Sequence, residues 1–126
     1  MAIQSYRDLE AWQFGMDYVL AIYAITERFP AHERFGLTAQ LRRAAVGIPS
    51  NISEGHQQGT RAYLRYVVIA LGSIAECETQ LEIARRLSYV THDDLIDSVR
   101  IGGPLRRLLF GLRRSLRRKM KSNPRT

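Results

Sequence analysis

One stretch of the chain restricts its fold more than any other. From Thr60 to Leu87, the apolar residues Leu64, Val67, Val68, Leu71, Ile74, Ala75, Leu81, Ala84 and Leu87 recur at spacings of three, four and seven. That periodicity predicts an amphipathic helix of about seven turns, with Thr60 as its N-cap. A stripe this long is covered only by partners of similar length, so the rest of the chain should supply further helices around it.

The remaining sequence offers three such helices. The first is expected from about Asp8 to Arg28, with Ser5 as N-cap, Asp8 completing an approximate capping box, and Pro30 as the stop. It carries two apolar stripes. Leu9, Trp12, Met16, Val19, Leu20 and Tyr23 make one, and Phe14, Tyr18, Ile22, Ile25 and Phe29 the other. Two stripes imply more than one neighbour, and the second is assigned here to assembly between subunits. The next helix is expected from Gly36 to Glu54, with Leu37, Leu41, Ala44, Ala45, Ile48 and Ile52 inward and Gly55 as C-cap. Pro49 lies inside it, removes one backbone donor and predicts a kink. Thr91 with Asp94 forms a second capping-box pattern that opens the last helix, which runs to about Lys121. Gly102, Gly103 and Pro104 interrupt it, so Leu105 to Lys121 is expected as a separately started segment.

The expectation is an all-α, antiparallel, up-and-down four-helix bundle, kinked at Pro49 and near Pro104. The whole chain, residues 1–126, would form one domain. The single Cys77 excludes an internal disulfide and sits on the apolar stripe between Ile74 and Leu81, as an inert core thiol does. The N-terminus has no signal-like apolar run, and no segment approaches the length of a membrane span. The expected setting is cytoplasmic, away from membranes.

Charge is distributed unevenly. Residues 1–91 hold nine Arg and nine Asp or Glu, whereas residues 92–126 hold eight Arg and two Lys against three Asp, so the net +7 resides in this last part. No acid follows Arg100. At 100° per residue, Arg100, Arg106, Arg107, Arg113, Arg114, Arg117, Arg118 and Lys121 fall within an arc of about 140°. Leu105, Leu108, Leu109, Leu112, Leu116 and Met120 occupy the opposite face. Arginine outnumbers lysine seventeen to two, and guanidinium forks match phosphate oxygens bidentately. These eight side chains are the candidate nucleic-acid contacts, directed at the RNA or DNA backbone because no base-reading motif accompanies them. Phe110 falls inside the arc, where it can stack on an unpaired base or meet another subunit. A basic but merely solvated face, and an anionic membrane surface, are the other readings.

A polar cluster lies elsewhere. Gln40, Arg43, Gly47, Ser50, Asn51 and Glu54 share one face of the second helix, and Ser73, Glu76 and Gln80 one face of the third. Arg43, Asn51, Glu54 and Glu76 are expected as a structural network that sets register, in preference to a carboxylate site.

QLRRAAVGIPSNISEG at 40–55 and ALGSIAECETQL at 70–81, together with the opening SYRDLEAWQFGMDYV, Phe29-Pro30 and Gly36-Leu37-Thr38, resemble the four-helix-bundle proteins of 23S rRNA intervening sequences. The likeness covers roughly residues 5–120. It implies a homo-oligomeric bundle, most commonly a pentamer, without enzymatic activity or cofactor. The accessory proteins of diversity-generating retroelements, distant relatives of that family, add nucleic acid and a reverse transcriptase as partners by analogy, and a ribosomal partner is a further analogy. Gly47 replaces a serine usual in the family, and Gly102-Gly103-Pro104 falls where its last helix is continuous.

Enzyme readings fare poorly. A di-iron carboxylate bundle needs Glu-x-x-His pairs, and Glu54-Gly55-His56 has the wrong spacing. Arg86 and His92 have the separation found in helical-bundle ribonucleases of the HEPN type, but a turn is expected between them and Leu87 takes the place of the polar residue after that Arg. His32 and His56 have no second ligand or base at useful spacing and are expected in surface loops. The composite expectation is a non-enzymatic, oligomeric module that touches RNA or DNA through its last helix, with a protein-binding scaffold as the alternative.

Overall fold

The structure is a computed structural model that describes residues 4–123. Four helices account for most of it: α1 (Glu10–Thr26), α2 (Leu37–His56), α3 (Thr60–Arg86) and α4 (Ile96–Ser122). One-turn 3-10 helices precede α1 (Tyr6–Asp8), α2 (Ala31–Glu33) and α4 (Asp93–Leu95), and no strand occurs among the described residues. α1 packs on α2 and α4, and α3 packs on the same two, so a four-helix bundle closes around one apolar core. Tyr18, Ile22, Leu41, Ile48, Ile52, Val67, Ile74, Cys77, Leu105 and Leu109 are all fully buried there. Each large side chain removed from water in this way contributes about 1.5–3 kcal/mol before the entropy of ordering is set against it.

Several boundaries differ from the expectation. Ser5 and Asp8 do form a capping box, but it caps the short Tyr6–Asp8 turn, and an extended Leu9 separates that turn from α1. Thr60 begins α3 rather than capping it, since Gly59 holds the N-cap position. Gly55 lies inside α2 instead of ending it. A Cβ there would sit 2.8 Å from Tyr66 Cβ, so glycine is what lets α3 approach α2 at their junction. Thr91 and Asp94 exchange the two expected hydrogen bonds, at 2.7 and 3.2 Å, and the helix proper begins at Ile96.

Two differences reorganise the outer surface. On α1 the stripe of Tyr18, Ile22, Ile25 and Phe29 is buried inside the bundle, while Met16, Leu20 and Tyr23 of the other stripe are exposed. The roles assigned from sequence are therefore reversed, because α2 and α4 cover the face that also carries the small residues Ala11 and Gly15. Along α3 the inward face is rotated slightly. Ala70, Cys77 and Gln80 join Val67, Ile74, Leu81 and Ala84 inside, and Val68, Ala75 and Leu87 are exposed.

α4 is one continuous helix through Gly102, Gly103 and Pro104, so no second segment starts at Leu105. α2 likewise continues through a buried Pro49. Neither proline can donate to the carbonyl four residues before it, so the carbonyls of Ala45 and Arg100 lose their usual intrahelical partner. Gly102 packs closely on α1: an added Cβ would lie 3.1 Å from Tyr18 Cε1, so the ring would have to give by a few tenths of an ångström. A side chain branching beyond Cβ at 102 would run into the phenol ring of Tyr18.

The turns at one end of the bundle are tied together. Tyr89, between α3 and α4, packs against Phe29 with ring centroids 5.6 Å apart, and its hydroxyl donates to Glu33 before α2 at 2.7 Å. Arg28 at the end of α1 pairs with Asp94 at 3.0 Å. α3 ends in a Schellman arrangement, with Tyr89 N–H bonded to Ala84 O and Ser88 N–H to Arg85 O. Ser88 takes the left-handed conformation there, at φ 63°.

Candidate nucleic-acid interface

The apolar face of α4 dictates where its charges go. Leu105, Leu109 and Leu116 are buried and Leu108, Leu112 and Met120 half-buried against the other helices. The arginines therefore line the outer side, as the 100° periodicity requires. The two at the edge of the arc nearest the apolar face, Arg106 and Arg113, are half-buried; Arg100, Arg107, Arg114, Arg117, Arg118 and Lys121 are exposed.

These eight side chains are not equivalent. Arg100 pairs with Asp97 one turn earlier at 3.1 Å. Arg106 pairs across the helix interface with Glu78 of α3. Both pairs lie in the first half of α4, where acids are in reach. In the second half, Phe110, Arg113, Arg114, Arg117, Arg118 and Lys121 line one open depression that contains no acidic residue. Arg107, Arg114, Arg117, Arg118 and Lys121 form no ion pair among the described residues. The guanidinium of Arg113 lies over the Phe110 ring, 4.7 Å from its centroid. From Arg113 to Lys121 the helix rises about 12 Å, close to one screening length at 0.1 M salt, so these charges act on a ligand together.

The pairing of Arg106 with Glu78 was not foreseen from sequence, since residues on separate helices carry no spacing signal for each other. The contact of Arg113 with Phe110 had one, because positions three apart share a helix face.

The polar cluster on α2 and α3 takes a different form from the one expected. Gln80, 7% exposed, is its centre, with its amide nitrogen 3.4 Å from Glu76 and 3.5 Å from Gln40. Asn51 donates to the Gly47 carbonyl within its own helix at 2.6 Å. Arg43, Glu54 and Glu76 are exposed and form no ion pair with one another among the described residues. The structure brings Gln40, Glu76 and Gln80 together and leaves Arg43 and Glu54 apart.

Cys77 is fully buried, and burial, aided by Glu76 and Glu78, pushes its thiol up to about 12. His56 is half-buried and stacks edge-on against Tyr63, with centroids 5.8 Å apart, rather than lying free in a loop. His32 is exposed, 3.4 Å from the Tyr89 hydroxyl. Arg86 is held by Glu82 at 3.1 Å, and His92 lies beyond the end of α3 in the turn before α4. Among the described residues no three His, Cys, Asp or Glu side chains gather as a metal site would need. No helix among them is long and apolar enough to cross a membrane.

No curated protein matches this chain. A family model does, over residues 7–111, and it is described as the 23S rRNA-intervening sequence protein. The match takes in all of α1, α2 and α3 and α4 as far as Gly111, which includes Phe110 of the depression and none of its five cations. A match over that much of the sequence shows that the chain belongs to the 23S rRNA-intervening sequence protein family.

Proposed function

We propose that this protein is a non-enzymatic bundle that binds the phosphate backbone of RNA or DNA through the distal half of α4. The observation that carries this reading is the acid-free depression of Arg113, Arg114, Arg117, Arg118 and Lys121 around Phe110. Five cations on one helix, held outward by buried leucines, repel one another in the free protein and form a surface whose charge a polyanion neutralises. The reading includes an up-and-down bundle, bent at Pro49 and Pro104, acting in the cytoplasm as a homo-oligomer, with the pentamer of the resembled family as the first candidate. Exposed Met16, Leu20 and Tyr23 on α1 support self-association, since apolar groups at that spacing gain by being covered.

Binding to generic RNA and to duplex DNA, followed as salt is raised from about 50 mM, tests the phosphate reading directly. Five neutralised phosphates give a slope of log K against log salt of about −3.5 to −4.5. Undetectable binding at low salt, or binding indifferent to salt, overturns it. Light scattering at micromolar concentration tests assembly, and a monomer there overturns the oligomer.

A protein scaffold is the second reading, favoured by Ile96 and Val99, which stand 53% and 69% exposed at the start of α4. A partner that competes with nucleic acid for α4 would unite the two readings. One that binds after the distal arginines are removed would separate them.

A further inference from the structure

Phe110 is the one uncharged member of the depression on distal α4. Its position in the middle of the arc places cations on either side of it, Arg113 toward the bundle and Arg114 toward solvent. The ring is 36% exposed, and the guanidinium of Arg113 lies over it at 4.7 Å. A cation over an aromatic ring is attracted by the ring's quadrupole and favours one orientation of it, and about a third of the residue stays open to a ligand. At the next residue, a Cβ added at Gly111 would meet no part of the chain within 4 Å beyond its immediate neighbours, so no other helix covers that surface.

A phosphate backbone alone has no use for such a ring, because phosphates are met by the surrounding guanidinium groups. A second copy docked by the same face would bring five cations against five, which argues against a symmetric contact through this surface. A flat, uncharged π-face joined to anionic groups on both sides satisfies every group in the depression. We infer that the Phe110 depression is a site for a single-stranded polynucleotide. One unpaired base stacks on the ring face opposite Arg113, and the flanking phosphates lie on Arg114, Arg117, Arg118 and Lys121. A duplex is excluded from the stack because its base faces are covered by neighbouring pairs. The inference rests on the phosphate-contact reading and narrows it to strands with accessible bases.

The test compares four probes on the full-length protein by fluorescence anisotropy in low salt: a single-stranded RNA of about a dozen nucleotides, the same sequence as DNA, the matched duplex, and inorganic polyphosphate. Phe110→Leu keeps apolar bulk while removing the π-face, and Arg117→Ala with Arg118→Ala removes two phosphate contacts. The expected result is that F110L weakens single-strand binding about tenfold and changes duplex and polyphosphate binding by less than about twofold. The double arginine variant weakens all four. Loss in F110L from either RNA or DNA supports the stack, and the two arms identify the sugar. Equal affinity of the F110L and wild-type proteins for single strands overturns the stacked base while phosphate contact stands, as does an equal loss on polyphosphate. No binding of any probe by the wild-type protein overturns both readings together. Thermal melting of F110L within a few degrees of wild type, expected because leucine keeps most of the apolar bulk, ensures that a loss reports on the site.

Discussion

The hydroxyl of Tyr89, in the turn between α3 and α4, donates to the carboxylate of Glu33, in the turn between α1 and α2, at 2.7 Å. Fifty-six residues apart in sequence, the two close one end of the bundle. Glu33 also accepts from the Leu37 amide at 3.0 Å and so serves as a cap for α2 from outside the helix. Its carboxyl is held below the ordinary glutamate value, first by the Leu37 amide and then by Tyr89.

A carboxyl with a depressed value in the folded state stabilises that state above its unfolded value near 4.5 and ceases to do so as pH falls through the folded value. Glu33→Gln should therefore lower the melting temperature at neutral pH, with the difference from wild type shrinking in acid. Tyr89→Phe should lower it at neutral pH as well. Melting curves between about pH 7 and pH 3 measure both, and a gap that widens in acid contradicts the assignment.

Ser88 occupies the left-handed position that glycine fills at most Schellman turns. Left-handed backbone costs a residue with a Cβ about 1–2 kcal/mol, offset partly by glycine's greater freedom when unfolded. Ser88→Gly is expected to stabilise the protein by roughly 0.5–1 kcal/mol in chemical denaturation.

Gly102 should tolerate no branched side chain. With a Cβ already 3.1 Å from Tyr18 Cε1, the extra methyls of Gly102→Val must displace a fully buried ring between α1 and α4. A loss of about 1–3 kcal/mol is expected from overpacking. A variant as stable as wild type would mean that Tyr18 has room to move.

Glu78 restrains one of the candidate phosphate contacts. In Glu78→Gln, Arg106 loses its anionic partner and becomes a sixth cation on the same arc as the distal five, so nucleic-acid affinity should rise and the salt slope steepen by about 0.7–0.9. Stability should change by less than about 1 kcal/mol, because both side chains are partly exposed. An unchanged slope would place Arg106 outside the binding surface.

Cys77 should resist alkylation. Its thiol is fully buried and shifted up to about 12, so almost no thiolate forms near neutral pH. Modification by iodoacetamide is expected only in denaturant, and rapid labelling of the folded protein would contradict the packing of α3.

The contrast between legible and hidden features follows the range of the interaction that decides each. Leu41, Ile48 and Ile52 lie inward as read, and so do Leu105, Leu109 and Leu116, because helical period alone sorts them. Thr91 with Asp94 was legible for the same reason, as both members lie within one turn. The two stripes of α1 were each visible, but which one turns inward depended on α2 and α4, and the choice went to Tyr18 and Ile22 over Met16 and Leu20. Gly102-Gly103-Pro104 reads as a break in isolation, yet Ile101 before it and Leu105 and Leu109 after it pack on the same core, and the helix runs through. At the candidate site, the arc of arginines could be drawn from numbering alone. Its division into a half paired with acids and an acid-free half could not, since Glu78 belongs to another helix.

By itself, then, the order of residues determined that the chain makes four helices, roughly which segments they occupy, and that its excess charge lies on one arc of the last. These depend on 3.6-residue periodicity, capping within a turn and the absence of acid after Arg100, all local properties. Only the tertiary structure decided which apolar stripe of α1 is covered, that α4 runs unbroken past Pro104, and which arginines remain without an acidic partner. Burial and pairing are settled between helices, where the neighbour's shape and charge outweigh the preference of any segment alone.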